Sequence, residues 1–176
     1  MAGTGAYVFT FDYRGYGASE GKPSEQGTYL DAEAAHAWLI ARGFEAKNII
    51  ALGKSLGGGI ASELALRTPV GGLILQSTYT SIADVGSELF PFLPVRWLNR
   101  IKYDTRSKLP RIHVPVLVMH SRDDKVIRFR HAERNFAAAN EPKMFWPIEG
   151  GHTEVLVDGR PGYLKGLEEF LQRYFG

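Results

Sequence analysis

The chain has 176 residues, no cysteine, a formal net charge of +2, and 44% hydrophobic against 23% charged residues. This length fits one domain that buries its own core, and the composition excludes disordered, collagen-like and coiled-coil chains. Without cysteine there is no disulfide framework, thiol nucleophile or cysteine-ligated zinc site. The small net charge does not favour nucleic acid as a partner. We expect one cytoplasmic domain over residues 1–176, because no signal-peptide pattern and no apolar run of about 20 residues is visible.

Short apolar runs alternate with longer helical patterns, which predicts an α/β fold with a mainly parallel sheet flanked by helices. In the first part of the chain the predicted elements are a strand at 7–11, a helix at 25–42, a strand at 49–52, a helix at 56–66 and a strand at 73–75. Within the predicted helix at 25–42, one face carries the residues that we expect to be buried, Leu30, Ala34, Trp38 and Leu39.

The second part of the chain begins with a less regular segment, residues 77–111, named here the cap-like segment. We interpret it as short helices over one end of the sheet. The predicted elements that follow are a strand at 114–119, a helix at 130–139, a strand at 143–148 and a helix at 162–175. Pro147 favours an edge position for the last strand, because proline cannot donate a ladder hydrogen bond.

Gly53, Ser55 and Gly57 form the pattern G-x-S-x-G between a predicted buried strand and a predicted helix. In this arrangement, the nucleophile elbow, a sharp turn lifts the serine hydroxyl above the sheet, and only small residues fit around it. The serine also lies near a helix N-terminus, where backbone N–H groups favour a developing anion. A glycine-rich turn with a capping serine is the structural alternative.

The order Gly53, Lys54, Ser55 also matches the end of a phosphate-binding P-loop, G-x-x-x-x-G-K-[ST]. The first glycine of that motif would fall on position 48, which is Asn48. Residues 49–52 have the pattern of a strand and not of a loop. We therefore do not expect nucleotide binding.

A serine nucleophile needs a general base, and His152 is the best candidate among the five histidines. It lies in a glycine-containing loop after the last predicted strand and before the last helix. His36 falls in a helix upstream of the serine, where we expect a surface or packing role. His113 precedes a strand and His131 begins a helix. His120 ends a strand, where it could pack near the site, and is expected to be structural.

The base needs an orienting acid from a strand end between the serine and the histidine, and Asp123 and Asp124 follow the strand predicted at 114–119. Both are also turn formers, so their position alone leaves the choice open. Asp12 also leaves a strand but precedes the serine, and we expect it to pair with Arg14 or to cap its turn. Either aspartate of the adjacent pair gives the chain order serine, aspartate, histidine, with all three at the carboxyl ends of strands.

With these residues the chain resembles the α/β-hydrolase superfamily, among the small serine hydrolases related to monoacylglycerol lipases and depalmitoylating thioesterases. The segments that carry the resemblance span nearly the whole chain and are 12–21, 53–58, 77–81, 120–127 and 150–152. The segment 120–127 is similar to the family pattern H-G-x-x-D-x-x-V, whose register places the acid on Asp124. Position 121 is serine where the family usually has glycine.

The resemblance implies a serine esterase that cleaves carboxylic esters, with short-chain acyl esters favoured, through an acyl-enzyme on Ser55. It implies a catalytic triad of Ser55, Asp124 and His152, the Leu56 N–H as an oxyanion donor, and neither metal nor cofactor. The expected substrate is a small-molecule ester. A thioesterase or lipase-like acyl hydrolase is one alternative, and a catalytically weak binding or assembly module is another.

The sequence also departs from the family pattern, because three strands and a helix that normally come first are not found in it. We therefore expect an α/β-hydrolase fold lacking its first strands, and a truncated gene or an excised fragment would give the same pattern. One of those strands normally lies between the strands predicted at 7–11 and 49–52 and brings the second oxyanion donor. Direct pairing or another chain would have to fill this place. Since an exposed apolar strand edge promotes association, we expect a homodimer or larger homo-oligomer built there.

Two sets of side chains in the cap-like segment concern the substrate. One set is apolar and either lines an acyl pocket or packs the segment onto the sheet: Phe90, Phe92, Leu93, Val95, Trp97 and Leu98. The other set is basic and either attracts an anionic head group or a membrane surface, or forms the more common solvated face: Arg96, Arg100, Lys102, Arg106, Lys108 and Arg111. A membrane surface is therefore the less favoured partner.

Overall fold

The computed structural model describes residues 5–93, 101–154 and 160–176. Its sheet has four strands, β1 (Ile50–Lys54), β2 (Gly72–Gln76), β3 (Val116–Ser121) and β4 (Lys143–Ile148). Every neighbouring pair is parallel, and the order across the sheet is β1-β2-β3-β4. The predicted α/β fold is confirmed, and β4 lies at a sheet edge as Pro147 indicated.

Helices connect the strands and lie close to their predicted positions. They are α1 (Glu25–Ala41), α2 (Leu56–Arg67), α3 (Ile82–Leu89), α4 (Thr105–Lys108), α5 (Arg130–Ala138) and α6 (Arg160–Phe175), with 3-10 turns at Ala46–Asn48 and Leu109–Arg111. The start of α1 is set by Ser24, whose hydroxyl oxygen accepts a hydrogen bond from the Gly27 N–H at 3.0 Å. None of the helices in the described part of the chain is long and apolar enough to cross a membrane.

Both faces of the sheet are covered, so β2 and β3 are buried along their whole length. On one face Leu73, Leu75, Val116 and Val118 pack with residues of α2 and α5. On the other face Ile74, Leu117 and Met119 pack under α6, whose contribution is Tyr163, Leu167 and Phe170. This burial on both sides explains why the strands are continuous apolar runs.

The strand predicted at 7–11 is wrong. Residues 5–12 form no strand, and Tyr7 and Val8 are 91% and 61% exposed. Phe9 stacks on Trp38 of α1, with ring centroids 4.9 Å apart. A β-rich run becomes a strand only when a neighbour supplies its hydrogen-bond partners, and in the described part of the chain β1 pairs with β2 alone.

The predicted buried face of α1 is also wrong. Leu30 and Trp38 are 45% and 42% exposed, whereas Tyr29, Ala32 and His36 are buried. The helix docks onto α2 through this second face, where Tyr29 and Ala32 share an apolar cluster with Ile60. Periodicity identified an apolar stripe, but the position of α2 decides which stripe is covered.

Candidate active site

Ser55 connects β1 to α2 in a strained backbone conformation. Its φ of 52° and ψ of −115° lie in a region that non-glycine residues avoid, at a cost of about 1–3 kcal/mol. The Ser55 N–H donates to the Gln76 carbonyl oxygen at 2.9 Å, which fixes the turn to β2. A Cβ on Gly53 would overlap the Gly57 carbonyl and lie 2.6 Å from the Gly58 Cα. Glycine at position 53 therefore allows the end of β1 to lie close to the first turn of α2. The nucleophile-elbow geometry predicted from G-x-S-x-G is therefore present.

Thr78 fastens this turn from the loop after β2, a role that the sequence analysis missed. Its hydroxyl lies 3.3 Å from the Ser55 carbonyl oxygen and 3.1 Å from the Gln76 carbonyl oxygen. The Thr78 Cβ would lie 2.7 Å from a Cβ added to Gly58. A side chain at position 58 would therefore displace the Thr78 side chain. No local signal marks Thr78 for this role, because Ser55 lies 23 positions away along the chain.

The structure brings Ser55, Asp124 and His152 into one hydrogen-bonded line. The Ser55 hydroxyl lies 3.1 Å from His152 Nε2, and His152 Nδ1 lies 2.7 Å from Asp124 Oδ2. The Asp124 side chain is fully buried, whereas the His152 side chain retains 12% exposure at the solvent side of the line. With the Nδ1 proton donated to the carboxylate, Nε2 is left to accept the serine proton.

The turn after β3 decides between the two candidate acids. Asp124 Oδ1 accepts the N–H groups of Val126 and Ile127 at 2.9 and 2.8 Å, which leaves Oδ2 for the histidine. Asp123 is exposed, and its N–H donates to the Ser121 hydroxyl at 3.1 Å. Only Asp124 of the two reaches the line, as the register of the 120–127 segment predicted.

None of the other four histidines takes the place of His152, although His120 Nε2 lies 3.5 Å from Asp124 Oδ2. His120 is buried and its Nε2 lies 2.8 Å from the Ile127 carbonyl oxygen, which ties β3 to the turn that carries the acid. Burial lowers the pKa of both His120 and His131, so both are neutral at neutral pH. His36 packs with Nε2 2.8 Å from a backbone carbonyl oxygen, and His113 is exposed.

Of the two roles expected for Asp12, the pair with Arg14 is not formed in the described part of the chain. The Arg14 guanidinium instead forms a bidentate pair with Asp31 of α1, with Nη2 2.8 Å from Oδ1 and Nε 3.1 Å from Oδ2. Hydrogen bonding from Arg14 lowers the pKa of the Asp31 carboxyl, and the Arg14 N–H adds a further bond at 2.9 Å. The Asp12 carbonyl accepts a bond from Ser19 Oγ at 2.9 Å, which closes the same loop.

The described members of the apolar set in the cap-like segment are exposed, and the other members lie outside the described residues. Phe90 and Leu93 are more than half exposed and Phe92 is 97% exposed, so these three neither pack on the sheet nor form a closed pocket. Val95, Trp97 and Leu98 lie outside the described residues, as do Arg96 and Arg100.

Of the described basic residues in this segment, three are exposed, Lys102, Arg106 and Arg111. Lys108 is different because it is buried, and its ammonium group lies 2.7 Å from a Glu63 carboxylate oxygen and 2.9 Å from the Gly59 carbonyl oxygen. Lys108 therefore fastens the segment to α2 and is not part of a solvated face.

The described residues, 5–93, 101–154 and 160–176, contain no candidate metal-binding site. No group of three or more histidine, aspartate or glutamate side chains in these ranges lies close enough to hold a metal ion.

The profile of the family described as serine aminopeptidase S33, within Hydrolase_4, matches residues 1–106. The chain belongs to the α/β-hydrolase superfamily. The matched range includes Ser55 and ends before Asp124 and His152, so the assignment of Asp124 and His152 to the site depends on their geometry alone.

Two sequence relatives match most of the chain but extend well beyond it. An uncharacterized protein of Mycobacterium tuberculosis strain H37Rv is 41% identical over 174 residues, covering 97% of this chain and 62% of that protein. The alpha/beta hydrolase domain-containing protein 17B of Homo sapiens is 35% identical over 170 residues, covering 94% of this chain and 56% of that protein. The chain thus spans about three fifths of the length of these relatives.

A solved structure shares the fold of this chain. The Pyrococcus furiosus esterase Pf2001 superposes with a TM-score of 0.76, at 20% identity, over 94% of this chain and 70% of that one. At this identity the likeness concerns the fold alone.

Proposed function

We propose that this hydrolase is a serine esterase that cleaves small carboxylic esters, short-chain acyl esters above all, through an acyl-enzyme on Ser55. The observation that carries the proposal is the hydrogen-bonded line from Ser55 through His152 to Asp124, at 3.1 and 2.7 Å. The strained serine backbone at the start of α2 supports the same role, because it holds the hydroxyl away from the helix that follows.

In the acylation step the Ser55 hydroxyl oxygen attacks the ester carbonyl carbon, and its proton moves to His152 Nε2. The carbonyl oxygen becomes an oxyanion, which the Leu56 N–H stabilises from the first turn of α2. That N–H has no acceptor within its own helix, so it is available to the anion. Asp124 keeps the imidazole in the required tautomer and stabilises the imidazolium.

The tetrahedral intermediate then breaks its bond to the leaving alcohol oxygen, which takes the proton from His152 Nε2. The acyl group stays on Ser55 as an ester. A water molecule repeats the attack, gives its proton to His152, and releases the carboxylic acid as Ser55 recovers its hydrogen. The balance is one ester and one water in, one acid and one alcohol out.

The exposed residues 90–93 of the cap-like segment support small or flexible esters as substrates. The described side chains at its tip, Phe90, Phe92 and Leu93, are open to solvent and enclose no deep channel for a long acyl chain. A thioesterase or lipase-like hydrolase would use the same serine and histidine, so the substrate and not the mechanism separates these alternatives.

The test is steady-state hydrolysis of p-nitrophenyl butyrate by the wild type and by Ser55→Ala. We expect wild-type turnover and a loss of at least about 10⁴-fold in the variant, because the nucleophile is removed. Ser87→Ala is the matched control, since the Ser87 hydroxyl donates to the Ala83 carbonyl oxygen of its own helix at 2.8 Å, and it should keep wild-type activity. Parallel assays with p-nitrophenyl palmitate and with a butyryl thioester compare the chain length and the leaving group.

Each outcome separates one alternative. Faster turnover of the palmitate or of the thioester would replace the short-chain esterase with a lipase-like enzyme or a thioesterase. Equal inactivity of folded wild type and Ser55→Ala on all three substrates, without labelling of Ser55 by a fluorophosphonate, would favour a binding or assembly module.

A further inference from the structure

The loop that carries Asp124 is exposed along most of its length. In residues 122–128 only Asp124 and Ile127 are buried. The loop begins where β3 ends, and β3 is buried along its whole length between β2 and β4. The carboxylate of the proposed triad therefore lies on an exposed loop at the end of an interior strand, and a contact from that strand can fix its position.

His120, in β3, makes such a contact through Nε2. This nitrogen lies 2.8 Å from the Ile127 carbonyl oxygen and 3.5 Å from Asp124 Oδ2. His120 thus contacts both buried residues of the loop. Its own ring is buried and meets the Phe129 ring edge-on, with centroids 6.0 Å apart, so packing as well as hydrogen bonding holds the imidazole in place.

The contacts of the His120 ring assign its tautomer. The Ile127 carbonyl oxygen and the Asp124 carboxylate accept hydrogen bonds and cannot donate them, so the nitrogen that faces them, Nε2, carries the proton. The other ring nitrogen, Nδ1, is buried and has no hydrogen-bond partner in the described part of the chain. A proton on Nδ1 would leave a buried N–H unpaired and would point the Nε2 lone pair at two oxygen atoms.

Burial keeps this imidazole uncharged at neutral pH, because it lowers the pKa of His120. The titratable side chains that act on the ring are Asp124, which favours its charged form, and His131 and His152, which disfavour that form. A charged His120 would compete with the His152 imidazolium for Asp124 Oδ2. The neutral ring supplies an N–H beside the carboxylate without adding that competing charge.

The hydrogen bond from His120 acts on the acid through the backbone of the loop. It fixes the Ile127 carbonyl, and the N–H groups of Val126 and Ile127 donate to Asp124 Oδ1 at 2.9 and 2.8 Å. With Oδ1 occupied, Oδ2 is left for His152 Nδ1, which lies 2.7 Å away. A loop released from β3 would turn the carboxylate out of this direction.

We infer that His120 is a positioning residue of the proposed esterase, whose Nε2–H holds the loop so that Asp124 Oδ2 faces His152 Nδ1. The inference rests on the proposed function of Ser55. His120 is buried and takes up no proton in the cycle, so its effect on the rate passes through the carboxylate. Misplacing a catalytic group by about 1 Å can cost about 10²-fold in rate, which sets the scale of the expected effect.

The test compares His120→Leu with His120→Gln on p-nitrophenyl butyrate. Leucine removes the N–H, whereas the glutamine amide can place an N–H near the position of Nε2. We expect kcat of His120→Leu to fall about 10²-fold with KM changed by less than about threefold, and His120→Gln to recover most of the loss. The matched control is His36→Leu, because His36 is also buried and its Nε2 lies 2.8 Å from the Pro69 carbonyl oxygen. It should lower Tm as His120→Leu does and keep the wild-type kcat.

Nuclear magnetic resonance measures the position of the acid without a substrate. The proton on His152 Nδ1, held by a carboxylate oxygen at 2.7 Å, should resonate far downfield, and its loss in His152→Gln assigns the signal. The signal should weaken or vanish in His120→Leu, return in His120→Gln and persist in His36→Leu. In the wild type, nitrogen-15 chemical shifts should place the proton of His120 on Nε2.

The possible results separate the two proposals. Wild-type kcat and an unchanged downfield proton in His120→Leu would overturn the positioning role while leaving Ser55 as the nucleophile. A proton on His120 Nδ1 would also overturn it, and the wild type alone gives that result if the leucine variant does not fold. Equal losses of kcat in His120→Leu and His36→Leu would assign the loss to stability and overturn it as well. A wild type that neither hydrolyses the ester nor reacts with a fluorophosphonate at Ser55 would overturn the esterase proposal itself, and the downfield proton would still show whether His120 holds the acid.

Discussion

The two glycines of the G-x-S-x-G turn should respond oppositely to alanine. A Cβ on Gly53 would overlap the Gly57 carbonyl and lie 2.6 Å from the Gly58 Cα, about 1 Å inside ordinary van der Waals contact. Its neighbours are backbone atoms that cannot rotate away, so we expect Gly53→Ala to cost about 3 kcal/mol, the upper part of the range for overpacking. Gly57 is helical and has open space, so Gly57→Ala should gain about 0.5–1 kcal/mol.

Thermal unfolding followed by circular dichroism measures this difference. For a domain of this size, about 1 kcal/mol corresponds to roughly 2–4 °C in Tm, so Gly53→Ala should melt about 6–12 °C below the wild type. Gly57→Ala should melt about 1–4 °C above it. A Gly53→Ala protein with the wild-type Tm would refute the steric argument, because the turn would then have room for a methyl group. A Gly57→Ala protein as unstable as Gly53→Ala would show that both glycines are needed for close packing.

The acid, the loop ion pair and the open sheet edge each have a measurable consequence. Asp124→Asn keeps the backbone contacts but presents an amide to His152 Nδ1, so kcat should fall about 10⁴-fold with KM little changed, and an unaltered kcat would exclude this acid. Because Arg14 lowers the pKa of Asp31, their pair stabilises the fold above about pH 4 and loses its effect as pH falls further. Asp31→Asn should therefore lower Tm at pH 7, and this deficit should shrink as pH falls below about 4. A deficit that is equal at pH 7 and in acid would contradict the ion pair. At the edge formed by β1, Leu52 is 44% exposed, and light scattering should give the mass of a dimer or larger assembly, whereas a 19.5 kDa particle would contradict association.

The sequence was sufficient for elements whose surroundings are implied by their own pattern. The strands β2 and β3 are buried on both faces, so their apolar runs could be identified without knowing their neighbours. The start of α1 lies where it was predicted, and in the structure Ser24 caps the helix. For the same reason the elbow at Ser55 was predictable, since its glycines and its flanking strand and helix are contiguous.

The sequence was insufficient where a distant element decides. The run at 7–11 has the composition of a strand, but its conformation depends on a partner that the described sheet does not provide. The covered face of α1 depends on where α2 lies, and Tyr29 was not part of the predicted stripe. Thr78 approaches the elbow from a loop that no local motif connects to it.

The positive φ of Ser55 lowers the stability of the fold at the residue that we propose as the nucleophile. A glycine at position 55 would adopt the same backbone conformation without the steric conflict of a serine Cβ. Keeping the serine hydroxyl therefore costs the turn about 1–3 kcal/mol of stability. A search for thermostable variants by random mutagenesis and melting temperature alone would thus accumulate changes at the reactive position. Selection on stability must be paired with a readout of the serine itself, or the most robust variants will be the inert ones.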